Sequence, residues 1–203
     1  QLAGLSPTEF VPASANTTHV IGFSLGGVAA LSFTANHPNV TRLDLIACPA
    51  PLGDDIPDMA GKPVFKAARS GRLPALTALQ ATLLRLAPGL FVKALFASAP
   101  DAEKRLLTKQ SKRVLLECYK TALLRERQNY LSSVTNFVDQ NNVWPCDKIS
   151  CGVNIWQGQS DTWVLPDMAQ DLAQMIPQAT RHSLPNLGHY GTLVHALKAI
   201  IRP

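Results

Sequence analysis

Three residues in this chain have types and an order that suit acyl transfer. Ser24 lies in Gly22-Phe23-Ser24-Leu25-Gly26, a G-x-S-x-G pattern. A serine hydroxyl is a poor nucleophile until it is exposed and set beside a base. His189, bracketed by Gly188 and Gly191, is the candidate base. Asp161, in Gly158-Gln159-Ser160-Asp161, is the candidate acid that orients the imidazole and stabilises its charged form. Asp54 and Asp55 are rival acids. His182 reads as part of a strand, and His19, His37 and His195 read as structural or exposed.

These side chains need elements to place them. Thr18 to Phe23 is a short apolar run with β-branched residues and reads as a strand. The helix after it runs from about Leu25 to about Asn36 and stops before Pro38. A strand turning abruptly into a helix projects Ser24 from the turn. That turn is crowded, so its neighbours must be small, and Gly22, Gly26 and Gly27 meet that need. The new helix also aims free N–H groups at charge developing near Ser24. Further strands are expected at Thr41 to Ala47, Val153 to Gly158 and Thr180 to Leu184. Helices are expected at Pro166 to Ile176 and Gly191 to Ile201. Asp161 and His189 then fall in loops after strands.

The middle of the chain is different. Residues 63 to 142 carry no strand signal and read as helices. Leu107, Val114, Leu115, Cys118 and Ala122 recur at helical spacing, with Pro100, Asp101 and Glu103 marking the first turn of that helix. Thr77 to Ala99 is apolar, but Arg85, Lys93 and Pro88 interrupt it. A bilayer span needs about twenty apolar residues, so two shorter helices fit better and no transmembrane segment is expected. The expected organisation is an α/β core from 1–62 and 143–203, with a helical cap at 63–142.

Charge follows the same division. Residues 62 to 127 hold 14 Lys+Arg and 4 Asp+Glu, a balance of +10, and the rest of the chain balances at −5. Lys104, Arg105, Lys109, Lys112, Arg113, Arg125 and Arg127 could attract an anionic substrate, an acyl carrier or a membrane surface. The basic residues are not interleaved with stacking aromatics, so nucleic-acid binding is not expected. Leu83, Leu84, Leu90, Phe91 and Phe96 could line an acyl pocket or simply fill the core of a lid. Cys48 and Cys118 read as small buried hydrophobes, and Cys146 and Cys151 are close enough to pair. A core of this size needs no staple, so free thiols and a cytoplasmic setting are expected. No Cys/His spacing points to zinc, and no cofactor is implied. The chain starts at Gln1 with no basic-then-apolar leader.

The order Ser24, Asp161, His189, with the elements around them, resembles the α/β-hydrolase fold family, in its serine-nucleophile, esterase-like branch. The resemblance covers nearly the whole chain, the middle helices matching the family's variable cap. It implies a parallel half-sheet equivalent to the family's strands five to eight. It also implies hydrolysis of an ester, a thioester or a carbon–carbon bond, an ester or thioester being favoured, with Ser24 as nucleophile, His189 as general base then acid, Asp161 as its orienter, and the Leu25 N–H as an oxyanion donor. A serine nucleophile argues against the dehalogenase and epoxide-hydrolase branches, which use aspartate there.

The sequence departs from the family before Ser24. The second oxyanion donor comes from a loop after the family's third strand, and nothing ahead of Ser24 matches it. Losing one such donor typically costs about two to three orders of magnitude in turnover. The first strand would also carry an unpaired apolar edge. The expectation is therefore a longer natural chain, or completion by another chain. A non-catalytic ligand-binding protein and an inactive fragment are the alternatives.

Overall fold

The computed structural model describes residues 18–201. They form two compact units, one of residues 18–50 with 143–201 and one spanning Pro51–Asn142.

The first unit holds a four-stranded sheet: β1 (Thr18–Phe23), β2 (Val40–Ile46), β3 (Gly152–Gly158) and β4 (Thr180–Leu184). The spatial order is β1-β2-β3-β4, and every pairing is parallel. Parallel neighbours need long crossovers. Helix α1 (Leu25–Asn36) joins β1 to β2, α8 (Pro166–Met175) joins β3 to β4, and α9 (His189–Ile201) closes the unit. In β2, Leu43, Asp44, Leu45 and Ile46 are all buried, so both faces of the sheet are covered. The register puts Gly22 beside Leu45, and α1 packs on that face, where Gly22 lies against Gly27 and Ala30. Phe23, Ile46 and Trp156 occupy the other face with Ala196 of α9. Strand β1 forms one edge. Among the described residues nothing pairs with its free side, and Val20, Ile21 and Phe23 are only partly buried.

A buried carboxylate ties the strands together. Asp44 accepts from His19 Nε2 on β1 at 2.6 Å, from Arg42 Nε at 2.7 Å and from Trp156 Nε1 on β3 at 2.7 Å. Burial alone pushes this carboxyl up. The hydrogen bonds from Arg42, Trp156 and His19, with the Arg42 charge, outweigh it and hold Asp44 below the ordinary carboxylate value of 3.8. Trp156 in turn stacks on His182 of β4 at 3.8 Å, and His182 contacts Asn154 Oδ1 at 2.9 Å.

The second unit is helical: α2 (Lys62–Arg69), α3 (Leu73–Leu86), α4 (Pro88–Leu95), α5 (Asp101–Lys104), α6 (Lys109–Lys120), a π-turn at Thr121–Arg125, and α7 (Arg127–Val138). Ala81, Leu84, Phe91 and Leu123 make its core, with Tyr119 and Tyr130 against them. Phe65 meets Phe137 at 5.0 Å. Arg127 binds the Pro74 carbonyl at 2.5 Å and Thr77 Oγ1 at 3.2 Å, fastening α7 to α3.

Three expectations are corrected here. Residues 100–122 are not one helix: the chain breaks after α5, and Thr108 caps α6 by accepting from Ser111 N at 3.1 Å. Val114 is 54% exposed and Cys118 is exposed, because α6 faces the core through Leu116 and Tyr119 instead. The closing helix begins at His189, not Gly191, since Thr192 N already bonds the Gly188 carbonyl at 2.9 Å. All four cysteines are free. Among the described residues no helix is long and apolar enough to cross a membrane.

The Asp44 cluster makes a stability prediction. Asp44→Ala should cost about 2–3 kcal/mol at neutral pH by stranding its donors. A depressed folded-state pKa stabilises above the unfolded value and loses that contribution as pH falls through the folded one. The gap between native and variant chains in urea unfolding should therefore hold from pH 7 to 5 and shrink below 3.8.

Candidate active site

Strand β1 ends at Phe23 and helix α1 begins at Leu25, so Ser24 alone makes the turn. Its backbone sits at φ 54°, ψ −134°. A positive φ on a residue with a Cβ costs about 1–3 kcal/mol and holds only where the surroundings enforce it. Two glycines let the surroundings close in. A Cβ on Gly22 would lie 2.6 Å from Gly27 Cα and 2.7 Å from Ala30 Cβ, and one on Gly27 would collide with Cys48 Sγ. Gly26 differs from the expectation: a Cβ there meets nothing within 4 Å. Its side of the helix points to open space, so crowding among the described residues does not demand a glycine there. The turn is pinned to the sheet by Ser24 N donating to the Ile46 carbonyl at 3.0 Å. The first helical bond is Gly27 N to Ser24 O at 2.9 Å. The N–H groups of Leu25 and Gly26 precede it and have no partner within the helix.

The candidate acid and base lie after the last two strands. His189 Nδ1 is 2.8 Å from Asp161 Oδ2, and both side chains are buried. A carboxylate only accepts, so Nδ1 carries a proton, and in the neutral ring Nε2 is then the acceptor. Asp161 is held from its other side by the backbone N–H groups of Trp163 and Val164, at 2.8 and 3.0 Å from Oδ1. It therefore turns its own loop and does not cap α8, whose N-cap is Leu165. The two loops are joined directly: Ser160 N donates to the Leu187 carbonyl at 2.9 Å, and Gln159 N to the Leu184 carbonyl at 3.0 Å. Gly158 permits that approach, because a Cβ there would run into the Leu187 carbonyl and Thr192 Oγ1.

Phe23 brings the serine's neighbour to the histidine. Its ring lies 4.7 Å from that of His189 and 5.9 Å from that of Tyr190. Trp163 stands 6.3 Å away on the acid loop. Among the described residues no hydrogen bond joins Ser24 Oγ to His189, and such bonds often tighten only with substrate in place. Of the rival acids, Asp55 is exposed and Asp54 is engaged elsewhere. Gln140 donates to Asp54 Oδ1 at 2.7 Å, and Arg69 binds the Asp54 carbonyl at 2.5 Å, both within the helical unit. His182 and His19 serve the strand network described above, and His37 bonds the Phe33 carbonyl at 2.8 Å. The described residues contain no cluster of metal-ligating side chains.

One residue of the site is missing from the sequence reading. Gln157, buried in β3, donates through Nε2 to the Val164 carbonyl at 3.0 Å and the Gly158 carbonyl at 3.1 Å, and lies 3.5 Å from Asp161 Oδ2. All three partners are acceptors, which fixes the amide's orientation and leaves Oε1 buried without a partner among the described residues. An amide at the buried end of the strand run Val153-Asn154-Ile155-Trp156-Gln157 was the available signal, since a buried polar side chain is rarely idle.

The packing of the turn can be tested on stability. Gly27→Ala should cost about 1–3 kcal/mol by overpacking against Cys48. Gly26→Ala should be neutral or stabilising by up to about 1 kcal/mol, as alanine is in an open helical site. Chemical denaturation of both variants reads the contrast.

Comparison with known proteins agrees with this fold. The chain matches the enol-lactonase from Burkholderia xenovorans LB400 at 18% identity and TM-score 0.58, over 92% of this chain and 65% of that one. It matches a thermophilic esterase from Thermogutta terrifontis at 18% identity and TM-score 0.57, over 91% and 63%. It matches a bromoperoxidase from Bacillus anthracis at 15% identity and TM-score 0.59, over 90% and 65%. The chain thus spans just under two thirds of the length of these structures. Among curated proteins none matches. The model of the alpha/beta hydrolase family matches residues 2–201, and the chain belongs to that family.

Proposed function

We propose that this chain carries the catalytic residues of a serine hydrolase that cleaves a carboxylic ester or thioester through an acyl-enzyme. The observation that carries the reading is the buried 2.8 Å bond between His189 Nδ1 and Asp161 Oδ2, in the same sheet unit as a serine held at positive φ. In this reading Ser24 Oγ attacks the acyl carbonyl while His189 Nε2 takes its proton. The tetrahedral oxyanion is met by the Leu25 N–H. His189 then returns the proton to the leaving alcohol or thiol, and the acyl-enzyme forms. Water, activated by the same nitrogen, releases the acid. The helical unit, inserted between β2 and β3, serves as the family's variable cap. Two of the similar structures bear the names enol-lactonase and esterase, which fits carboxylic ester cleavage. A cytoplasmic setting belongs to the same proposal and is supported by four free thiols.

The test is labelling with a fluorophosphonate, followed by hydrolysis of a p-nitrophenyl ester series. Ser24→Ala should abolish both. Asp161→Asn should slow labelling by about 10⁴-fold, because an amide accepts poorly from Nδ1–H and can favour the wrong tautomer. Labelling that persists in Ser24→Ala contradicts the assignment. Gln157→Met, which keeps volume and removes both donors, should slow labelling about tenfold by loosening the acid loop. Gln157→Glu should be slower still at neutral pH, where a third carboxylate oxygen faces Asp161, and recover as pH falls and the carboxyl gains a proton to donate.

A further inference from the structure

The helical unit presents a surface that its own core does not use. Helix α3 buries Leu73, Thr77, Ala81 and Leu84 along one side. At 100° per residue, the opposite side carries Ala75, Ala78, Leu79, Thr82 and Leu86, and all five are exposed. Leu79 is 67% exposed and Leu86 81%. Just past the Ala87 corner, Leu90 of α4 is 60% exposed. A solvent-facing helix stripe normally carries charges, and this one carries none in its centre.

The charges stand at its ends, and they share one sign. Arg72 precedes the stripe, Arg85 flanks it, and Lys93 follows Leu90 by three residues, the spacing of helix neighbours. All three are exposed. Among the described residues none of them pairs with a carboxylate. The sequence deepens the bias. From residue 59 to residue 100 there is no Asp or Glu, against six basic residues: Lys62, Lys66, Arg69, Arg72, Arg85 and Lys93. Solubility would be served equally by mixed charges. Exposed leucines bordered by unpaired cations complement a surface that is negative outside and apolar beneath. That is an anionic lipid surface, in which leucines sink to the acyl boundary while Arg and Lys meet headgroup phosphates.

We propose that the α3–α4 face of the helical unit, built on Leu79, Leu86 and Leu90 with Arg72, Arg85 and Lys93, docks on anionic lipid membranes. The attachment is peripheral and reversible. It would bring the chain to acyl esters that partition into lipid.

The experiment is co-sedimentation of the chain with vesicles of pure phosphatidylcholine, and with vesicles containing about one third phosphatidylglycerol. The chain should partition onto the anionic vesicles at least about tenfold better than onto the neutral ones, and rising salt should weaken it. Leu79→Ser/Leu86→Ser/Leu90→Ser should lose most of the binding with its circular dichroism unchanged, since the three positions are exposed. Arg72→Gln/Arg85→Gln/Lys93→Gln should lose the preference for anionic lipid. Equal partition onto both vesicle types overturns the proposal, as does binding that the leucine variant retains. Retention on an acidic polypeptide without vesicle binding would assign the face to a protein partner. A self-association abolished by the leucine variant, again without vesicle binding, would assign it to a second copy of the chain. Either result also overturns the lipid assignment.

Discussion

All four strands run the same way, so every strand releases its chain at the same edge of the sheet. The rest of the site depends on that constraint. Ser24 follows β1 directly, Asp161 comes three residues after β3, and His189 five residues after β4. Residues far apart in sequence reach one edge because parallel pairing leaves them no other. The lateral spacing is then set by strand separation. The β3–β4 pair brings Asp161 and His189 into hydrogen-bond contact. Phe23, on the edge strand, reaches the imidazole across β2 and β3 through the face that α9 covers.

Two buried carboxylates in this unit show how local surroundings assign different tasks to one chemical group. Asp44 lies within the sheet and takes its donors from three strand positions, His19, Arg42 and Trp156. It is consumed in holding strands β1, β2 and β3 in register. Asp161 lies beyond the strand end. One of its oxygens is occupied by the backbone N–H groups of Trp163 and Val164, and the other is left to His189, with Gln157 behind it. The loop's own amides thus fix the carboxylate before the imidazole meets it. In the proposed mechanism, rigidity of this kind keeps His189 aimed from one turnover to the next.

Much of this was legible in the sequence because it rests on local chemistry. Thr18–Phe23 and Thr180–Leu184 run between the limits their β-branched residues and flanking breakers imply. The turn at Ser24 follows from a strand pattern and a helix pattern that leave one residue between them. What was not legible depends on the third dimension. Residues 188 to 190 read as loop, yet the helix starts at His189, because the Gly188 carbonyl is already a helical acceptor. The stripe of Val114 and Cys118 has helical spacing, but spacing alone does not say which side of α6 meets the core. The need for glycine at position 27 comes from Cys48, a residue on another element, whereas position 26 is open for the same reason. Gln157 is invisible to motif reading, since its partners are carbonyls brought round by the acid loop.

The proposed chemistry depends on the Asp161–His189 bond, and nitrogen-15 NMR of histidine-labelled protein examines that bond without any substrate. The prediction is a His189 ring with its proton on Nδ1, seen as a low-field resonance protected from exchange, that disappears in Asp161→Ala and persists in Ser24→Ala. A His189 protonated only at Nε2, or a low-field signal indifferent to Asp161→Ala, would contradict the geometry on which the proposed chemistry is built.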